Sequence, residues 1–263
     1  MADAATDIQT VDVARDGDVA ILTINNVKQR NALTRGVKAA LIPALEDANN
    51  DPEVRAIVIV GAGGTFSAGG DVSLFSGMTP AIGRQVVFDQ REFLHLMIRG
   101  ETPIVAAVEG FAFGAGFGIA MAADHVVAAQ DAKFCAAFNK IGLMPDGGLL
   151  WTLPQRVGMG RAREMLMCAS VIEGAEAQRL GMVDMLTAPG EALETALAKA
   201  RRFAAAPPLA VGAIKGAFAR FPLDLEAAFA IELDAQPALM ASADAGQARR
   251  AFFAKQKPVF RGA

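Results

Sequence analysis

The sequence is poor in cysteine, with Cys135 and Cys168 the only two in 263 residues. Two thiols cannot build the disulfide framework of a small secreted domain, so they point to a reducing compartment. Histidine is equally scarce. His95 and His125 share no metal-ligand spacing with the cysteines, and no metal is expected. A strong charge of one sign is also missing. The net charge is −3 and no basic run occurs, which excludes an electrostatic footprint for nucleic acid. Long apolar runs are absent too. The longest uncharged one, "GFAFGAGFGIAMAA", has 14 residues between Glu109 and Asp124. A membrane span needs about 20, so it reads as a buried core helix. The opening "MADAATDIQT" has neither a basic n-region nor an apolar core. No secretion signal is expected, and the location read from these features is cytoplasmic.

What is present is a large apolar fraction: 53% of residues are hydrophobic and 20% charged. A chain of this length and composition can bury a sizeable core. "TVDVARDGDVAILTIN" reads as a β-hairpin turning at Asp16-Gly17. Val37, Leu41, Leu45 and Ala48 recur at helical spacing, Thr34 can cap that helix, and Pro43 predicts a kink near 39–43. "RAIVIVGAG" and "TPIVAAVEG" are continuous apolar strands of the kind covered on both faces. A helix is expected near 84–98 and another over 116–123. "DHVVAAQ" and "KFCAAF" read as strands, and "GGLLWTLPQRVG" and "GRAREMLMCAS" as helices split by Pro154. "EAQRLGMVDMLT" reads as a short helix passing into a strand. After about residue 190 only helical patterns remain, broken at Pro207-Pro208. The reading is an α/β core over 1–195 and a helical segment over 196–263.

Twice a buried strand runs into a glycine-rich corner. "TFSAGGDV" follows the first strand and "FAFGAGFG" the second. Glycine or alanine lets a ligand approach the backbone, and a helix N-terminus leaves amides unpaired. Two such corners, if they converge, offer two N–H donors to one oxygen, which is an oxyanion hole. One donor is typically worth about 2.7–4 kcal/mol in a transition state. Glycine-rich corners mostly serve tight turns and close helix–strand packing, and spacing alone favours that reading. A dinucleotide fingerprint fails on detail, because Phe66 and Ala112 stand where glycine is required, and Asp131 alone does not rescue it.

"TFSAGGDV" resembles the F-x-A-G-x-D segment of the enoyl-CoA hydratase/isomerase (crotonase) superfamily, and "VEGFAFGAGFGIAMAADHVVA" its second oxyanion segment. "QRNAL", "GLMPDGG", "EAQRLGMVD" and the tail "AFFAKQKPVFRG" follow in the same order. The resemblance implies a spiral of ββα units with a helical C-terminal segment that forms trimers, often stacked as hexamers. It implies acyl-CoA thioester substrates and an enolate held by the amides of Gly70 and Ala115. It implies no cofactor beyond the CoA moiety of the substrate. Arg30, Ala32 and Ala68 fall where the family holds CoA. Phe252 and Lys255 match tail positions that reach CoA on a neighbouring subunit. Asp71 and Phe138 border the same site, although Asp71 also reads as a helix cap.

Hydratases of that family use two glutamates. Gly118 and Phe138 stand at those positions here. Neither can orient water or move its protons. Asp146 remains, in "MPDGG". Read from the residues, it is a good N-cap for the next helix. The resemblance adds an acid–base role, since isomerases of the superfamily carry an aspartate in this segment, with burial beside Trp151 and Phe138 raising its pKa. The resulting expectation is an enoyl-CoA or ring-epoxide acyl-CoA isomerase. A hydratase, an Asp146-nucleophile hydrolase or dehalogenase, and an inactive acyl-CoA-binding homologue are the alternatives. His95 and His125 read as packing or surface residues. Phe111, Phe113 and Phe117 read as either acyl-site lining or core.

Overall fold

The computed structural model describes residues 10–263. Residues 1–9, most of the segment read above for a leader, lie outside the described residues. A hairpin of β1 (Thr10–Asp16) and β2 (Val19–Asn25) opens the chain, with Asp16 opposite Val19. From β2 onward the large sheet is parallel. It adds β3 (Ala56–Gly61), β4 (Ile104–Val108), β6 (His125–Ala129) and β9 (Met185–Thr187), in the order β1-β2-β3-β4-β6-β9. A second layer holds β5 (Phe111–Phe113), β7 (Lys133–Cys135) and β8 (Ile172–Glu173). Isolated parallel bridges between Ser67 and Ala112, and between Leu33 and Gly70, extend this layer. Each turn of the chain therefore crosses the large sheet, bends, crosses the small layer and returns. This is the ββα spiral.

The returns are helices α1 (Arg35–Asn50), α2 (Pro80–Arg99), α3 (Ala115–Ala122), α4 (Leu149–Val157), α5 (Met159–Cys168) and α6 (Gly174–Arg179). Then come α7 (Ala192–Ala204), α8 (Pro208–Phe218), α9 (Leu225–Ala241) and α10 (Ala243–Ala254). The apolar strands read as they do because both sheet faces are covered. Ile57 and Ile59 pack toward α1, α2 and α3, while Val58 and Val60 pack toward α7. Four alanines of α7, at 192, 196, 200 and 204, lie flat on the second face. Their spacing of four puts them on one helix stripe. Position 195, where composition changes, falls inside this helix. Among the described residues no helix is long and apolar enough to cross a membrane.

The expected split at Pro154 needs correction, and Pro43 also falls inside a continuous helix: α4 runs uninterrupted through Pro154, as α1 does through Pro43. Proline frees the carbonyl four residues back. Those carbonyls belong to Ala39 and Leu150, both exposed, so water can satisfy them. The break between α4 and α5 falls at Gly158 instead. "KFCAAF" is also shorter as a strand than read. Only Lys133–Cys135 pair, and Phe138 lies in a 3-10 turn over Ala137–Ile141.

Candidate functional site

The first corner is built around Asn31. This buried side chain donates to the carbonyls of Ala62 at 2.8 Å and Thr65 at 2.6 Å, and accepts from the Asn26 amide at 3.0 Å. Ser67 donates to the Asn31 carbonyl at 2.7 Å and accepts from the Gly69 amide at 3.1 Å. Backbone bonds then lace the two N-terminal segments together. The Ala68 amide donates to the Arg30 carbonyl at 2.9 Å, and the Leu33 amide to the Gly69 carbonyl at 2.7 Å. Arg30, Ala32 and Ala68 thus share one wall.

The second corner is tied to the first. Ser67 accepts from the Phe113 amide at 2.9 Å and donates to the Phe111 carbonyl at 3.0 Å, backbone to backbone. Gly69 sits in the left-handed region at φ 92°. A side-chain carbon there would lie 2.5 Å from the Phe113 carbonyl oxygen and 3.1 Å from the Ala115 nitrogen. Only glycine admits this contact. The corners therefore abut, and Gly70 and Ala115 are each within one residue of the contact. Among the described residues neither amide donates a hydrogen bond within the chain. Gly70 is exposed, whereas Ala115 begins a helix whose eight residues are all buried. Two unpaired donors, one carrying the positive end of a helix dipole, suit a developing oxyanion.

Asp146 does not cap α4 with its side chain. The cap position is Gly148, with no side-chain hydrogen bond. The half-buried carboxylate instead accepts from Gln90 Nε2 of α2 at 3.0 Å, through Oδ1. Desolvation pushes its pKa above the ordinary carboxylate value, while the Gln90 hydrogen bond and the charge of Lys38 oppose the rise. Gly118, the position of one missing glutamate, faces this segment. A side-chain carbon at 118 would stand 2.5 Å from the Gly147 carbonyl oxygen. The backbone next to Asp146 fills the space a longer residue would need. Phe138, at the other missing position, is buried, and its ring tip lies 3.9 Å from where a Gly114 side-chain carbon would be.

The remaining candidates divide. The Asp71 carboxylate accepts from the Ser73 amide at 3.0 Å and the Ser73 hydroxyl at 2.6 Å, and so caps the 3-10 turn over Val72–Phe75. Phe252 is 77% exposed at the end of α10, and Lys255 is its exposed left-handed cap. Trp151 donates its indole N–H to the Phe221 carbonyl at 3.1 Å. It lines an apolar cavity of about 500 Å³ at the other end of α3, together with Met121, Phe203 and Phe218. His95 is exposed on α2, and His125 is half-buried beside Asp184. Phe117 is core, tilted against Phe134, while Phe111 and Phe113 are half-buried.

Sequence reading missed Asn31, Ser67, Gln90 and Lys38. The first two lie inside quoted motifs but carry no chemistry visible in one dimension. Gln90 and Lys38 carried a signal. Gln90 falls on the stripe of Phe93, Leu94 and Met97, and Lys38 on that of Leu41 and Leu45. A polar residue on the apolar face of a helix needs a partner inside the fold.

The family described as "Enoyl-CoA hydratase/isomerase" matches residues 14–263. A short-chain-enoyl-CoA hydratase of Clostridium acetobutylicum is 33% identical over 254 residues, covering 95% of this chain and 97% of the relative. A 1,2-epoxyphenylacetyl-CoA isomerase of Escherichia coli is 31% identical over 249 residues, covering 93% and 95%. The crystal structure of an enoyl-CoA hydratase from Polaromonas sp. JS666 superposes with a TM-score of 0.91 at 33% identity, covering 95% of this chain and 99% of that one. With the spiral and both glycine corners in place, the chain belongs to the enoyl-CoA hydratase/isomerase family of crotonase-fold acyl-CoA enzymes.

Proposed function

We propose that this enzyme isomerises an enoyl-CoA, or an acyl-CoA bearing a strained ring epoxide, through a thioester enolate. The Gly70 and Ala115 amides hold the thioester oxygen as it gains charge. With an enoyl-CoA, Asp146 removes a proton from the α or γ carbon and returns it at the other, so the carboxylate is regenerated and no water is consumed. With a ring epoxide it removes the α proton, the enolate electrons expel the epoxide oxygen from its carbon, and the proton returns to the rearranged product. Arg30, Ala32 and Ala68 hold CoA in this reading. The observation that carries it is the packing of Gly118 against Gly147. That contact leaves no room for the hydratase glutamate and sets Asp146 beside the second corner. The E. coli epoxyphenylacetyl-CoA isomerase among the relatives supports the epoxide form.

Hydration is the second reading, supported by relatives that are named hydratases. Incubation with a 3-enoyl-CoA in deuterated water separates the two. Deuterium at the α or γ carbon without hydroxyacyl-CoA is the result expected. Hydroxyacyl-CoA as the main product from a 2-enoyl-CoA overturns the isomerase reading.

The protein acts as a homotrimer or dimer of trimers in this proposal. α9 supports it: none of its 17 residues is buried, although Leu225, Phe229, Leu233 and Met240 lie along it. An isolated helix gains little from such a face unless a second copy covers it. Phe252 and Lys255 then reach a neighbouring copy's CoA. Sedimentation at micromolar concentration tests this, and a monomer refutes it.

A further inference from the structure

Gln90 is 6% exposed on the apolar stripe of α2, in line with Phe93, Leu94 and Met97. A buried amide on such a stripe costs free energy unless it is bonded. Its Nε2 donates to Asp146 Oδ1 at 3.0 Å. Packing around the bond holds it there. Nε2 also lies 3.0 Å from where a Gly147 side-chain carbon would stand, and Leu94 Cδ1, one helical turn along, lies 4.0 Å from that of Gly148. The same Gly147 point is 3.5 Å from the Ala115 Cα. α2 therefore packs directly on the two glycines after Asp146, and Gly147 rests on the start of α3, where the second oxyanion amide lies.

Without Gln90 the Asp146 carboxylate has another place to go. Gly148, the N-cap of α4, provides no side-chain cap, and a carboxylate just before a helix is drawn to its free amides. Gln90 draws it to α2 instead. The bond fixes Oδ1 and leaves Oδ2 without a hydrogen bond among the described residues. The donor is also neutral. It bonds Oδ1 whether the carboxyl is charged or carries a proton on Oδ2, because the carbonyl oxygen of an acid still accepts. The group therefore stays in place while the proton is on it. We propose that Gln90 is a positioning residue for the isomerisation. It holds Asp146 by Oδ1, so that Oδ2 takes the α proton, the C–H electron pair passes into the enolate, and the same oxygen returns the proton at the γ carbon. The proposal rests on Asp146 being the base.

The test uses Gln90→Met, which keeps the length and removes the donor, and Gln90→Asn, whose amide is one methylene too short. Isomerisation of a 3-enoyl-CoA is measured alongside binding of the matching saturated acyl-CoA, which shows that each variant has kept its site. In both variants kcat falls about 10–10²-fold, the worth of a catalytic group misplaced by an ångström or so. KM and the Kd of the saturated acyl-CoA stay within about twofold of wild type. In an Asp146→Asn background, Gln90→Met lowers the residual rate no further, because the two residues act as a unit. Unchanged kcat in both variants overturns the proposal. So does a rise in KM and Kd that matches the fall in kcat, or an equal loss from Gln90→Met with Asn at 146. Failure of the underlying reading looks different: Asp146→Asn alone then retains full turnover.

Discussion

Lys38 and Lys215 are both 7% exposed, and desolvation lowers the pKa of both. Their surroundings differ. Lys215, on α8, donates to Asp124 at 2.7 Å and to the Thr102 carbonyl at 2.8 Å. Asp124 also accepts from the Ile104 amide at 2.7 Å. That cluster ties α8 to the entry of β4 and asks nothing of a ligand. Lys38 makes no hydrogen bond or ion pair among the described residues, and its ammonium stays within reach of solvent. A buried charge that is fully bonded belongs to the architecture. One without a bond inside the protein keeps its head at the water and buries only its stem.

The largest expected break in this comparison comes from the carboxylates. Asp146→Asn lowers turnover by about 10²–10⁴-fold, the usual worth of a positioned acid–base group. It does not lower the melting temperature. The sign follows from the raised pKa: the fold favours the protonated acid, so charge at Asp146 opposes folding as pH rises through that pKa. Asn removes the charge and should leave Tm the same or higher at pH 7. The same shift places the acid limb of kcat/KM above the ordinary carboxylate range. Activity falls as pH drops through it.

Lys215→Met does the reverse. It strands Asp124 and the Thr102 carbonyl, and removing one partner of a buried pair typically costs 3–5 kcal/mol. Asp124 is 31% exposed, so about 3 kcal/mol is expected by urea unfolding, with kcat per folded molecule retained. A large loss of kcat would mean the cluster also shapes the site.

Gly118→Ala sharpens the contrast from inside the site. One methyl meets the Gly147 carbonyl, and overpacking of this kind costs about 1–3 kcal/mol. Because Asp146 adjoins Gly147, turnover should fall with stability. Unchanged turnover would uncouple position 118 from the base. The smallest effect is expected from Thr34→Ala. Its hydroxyl accepts from the Val37 amide at 3.3 Å and caps α1, the helix that carries Lys38. About 1 kcal/mol of stability should be lost, read by thermal melts.

Much of the spiral could be read along the chain. The runs at 56–61 and 104–108 are apolar at every position because helices cover both faces, and burial leaves that mark in one dimension. Pro154 misled because a proline's effect depends on what satisfies the carbonyl it frees. Solvent exposure decides that, and it is a property of the packed molecule. Phe111–Phe113 escaped notice as a strand. Three residues carry too little periodicity, and their pairing partner lies some twenty residues further on.

The glycine corners, their order and the absence of both hydratase glutamates were determined by the sequence alone, since they depend on which atoms are present. What those atoms do was decided by tertiary structure. Asp146 could have capped a helix, and Lys38 could have lain at the surface. Partners are chosen by distance, and only the folded chain brings residues 90 and 146 to one place.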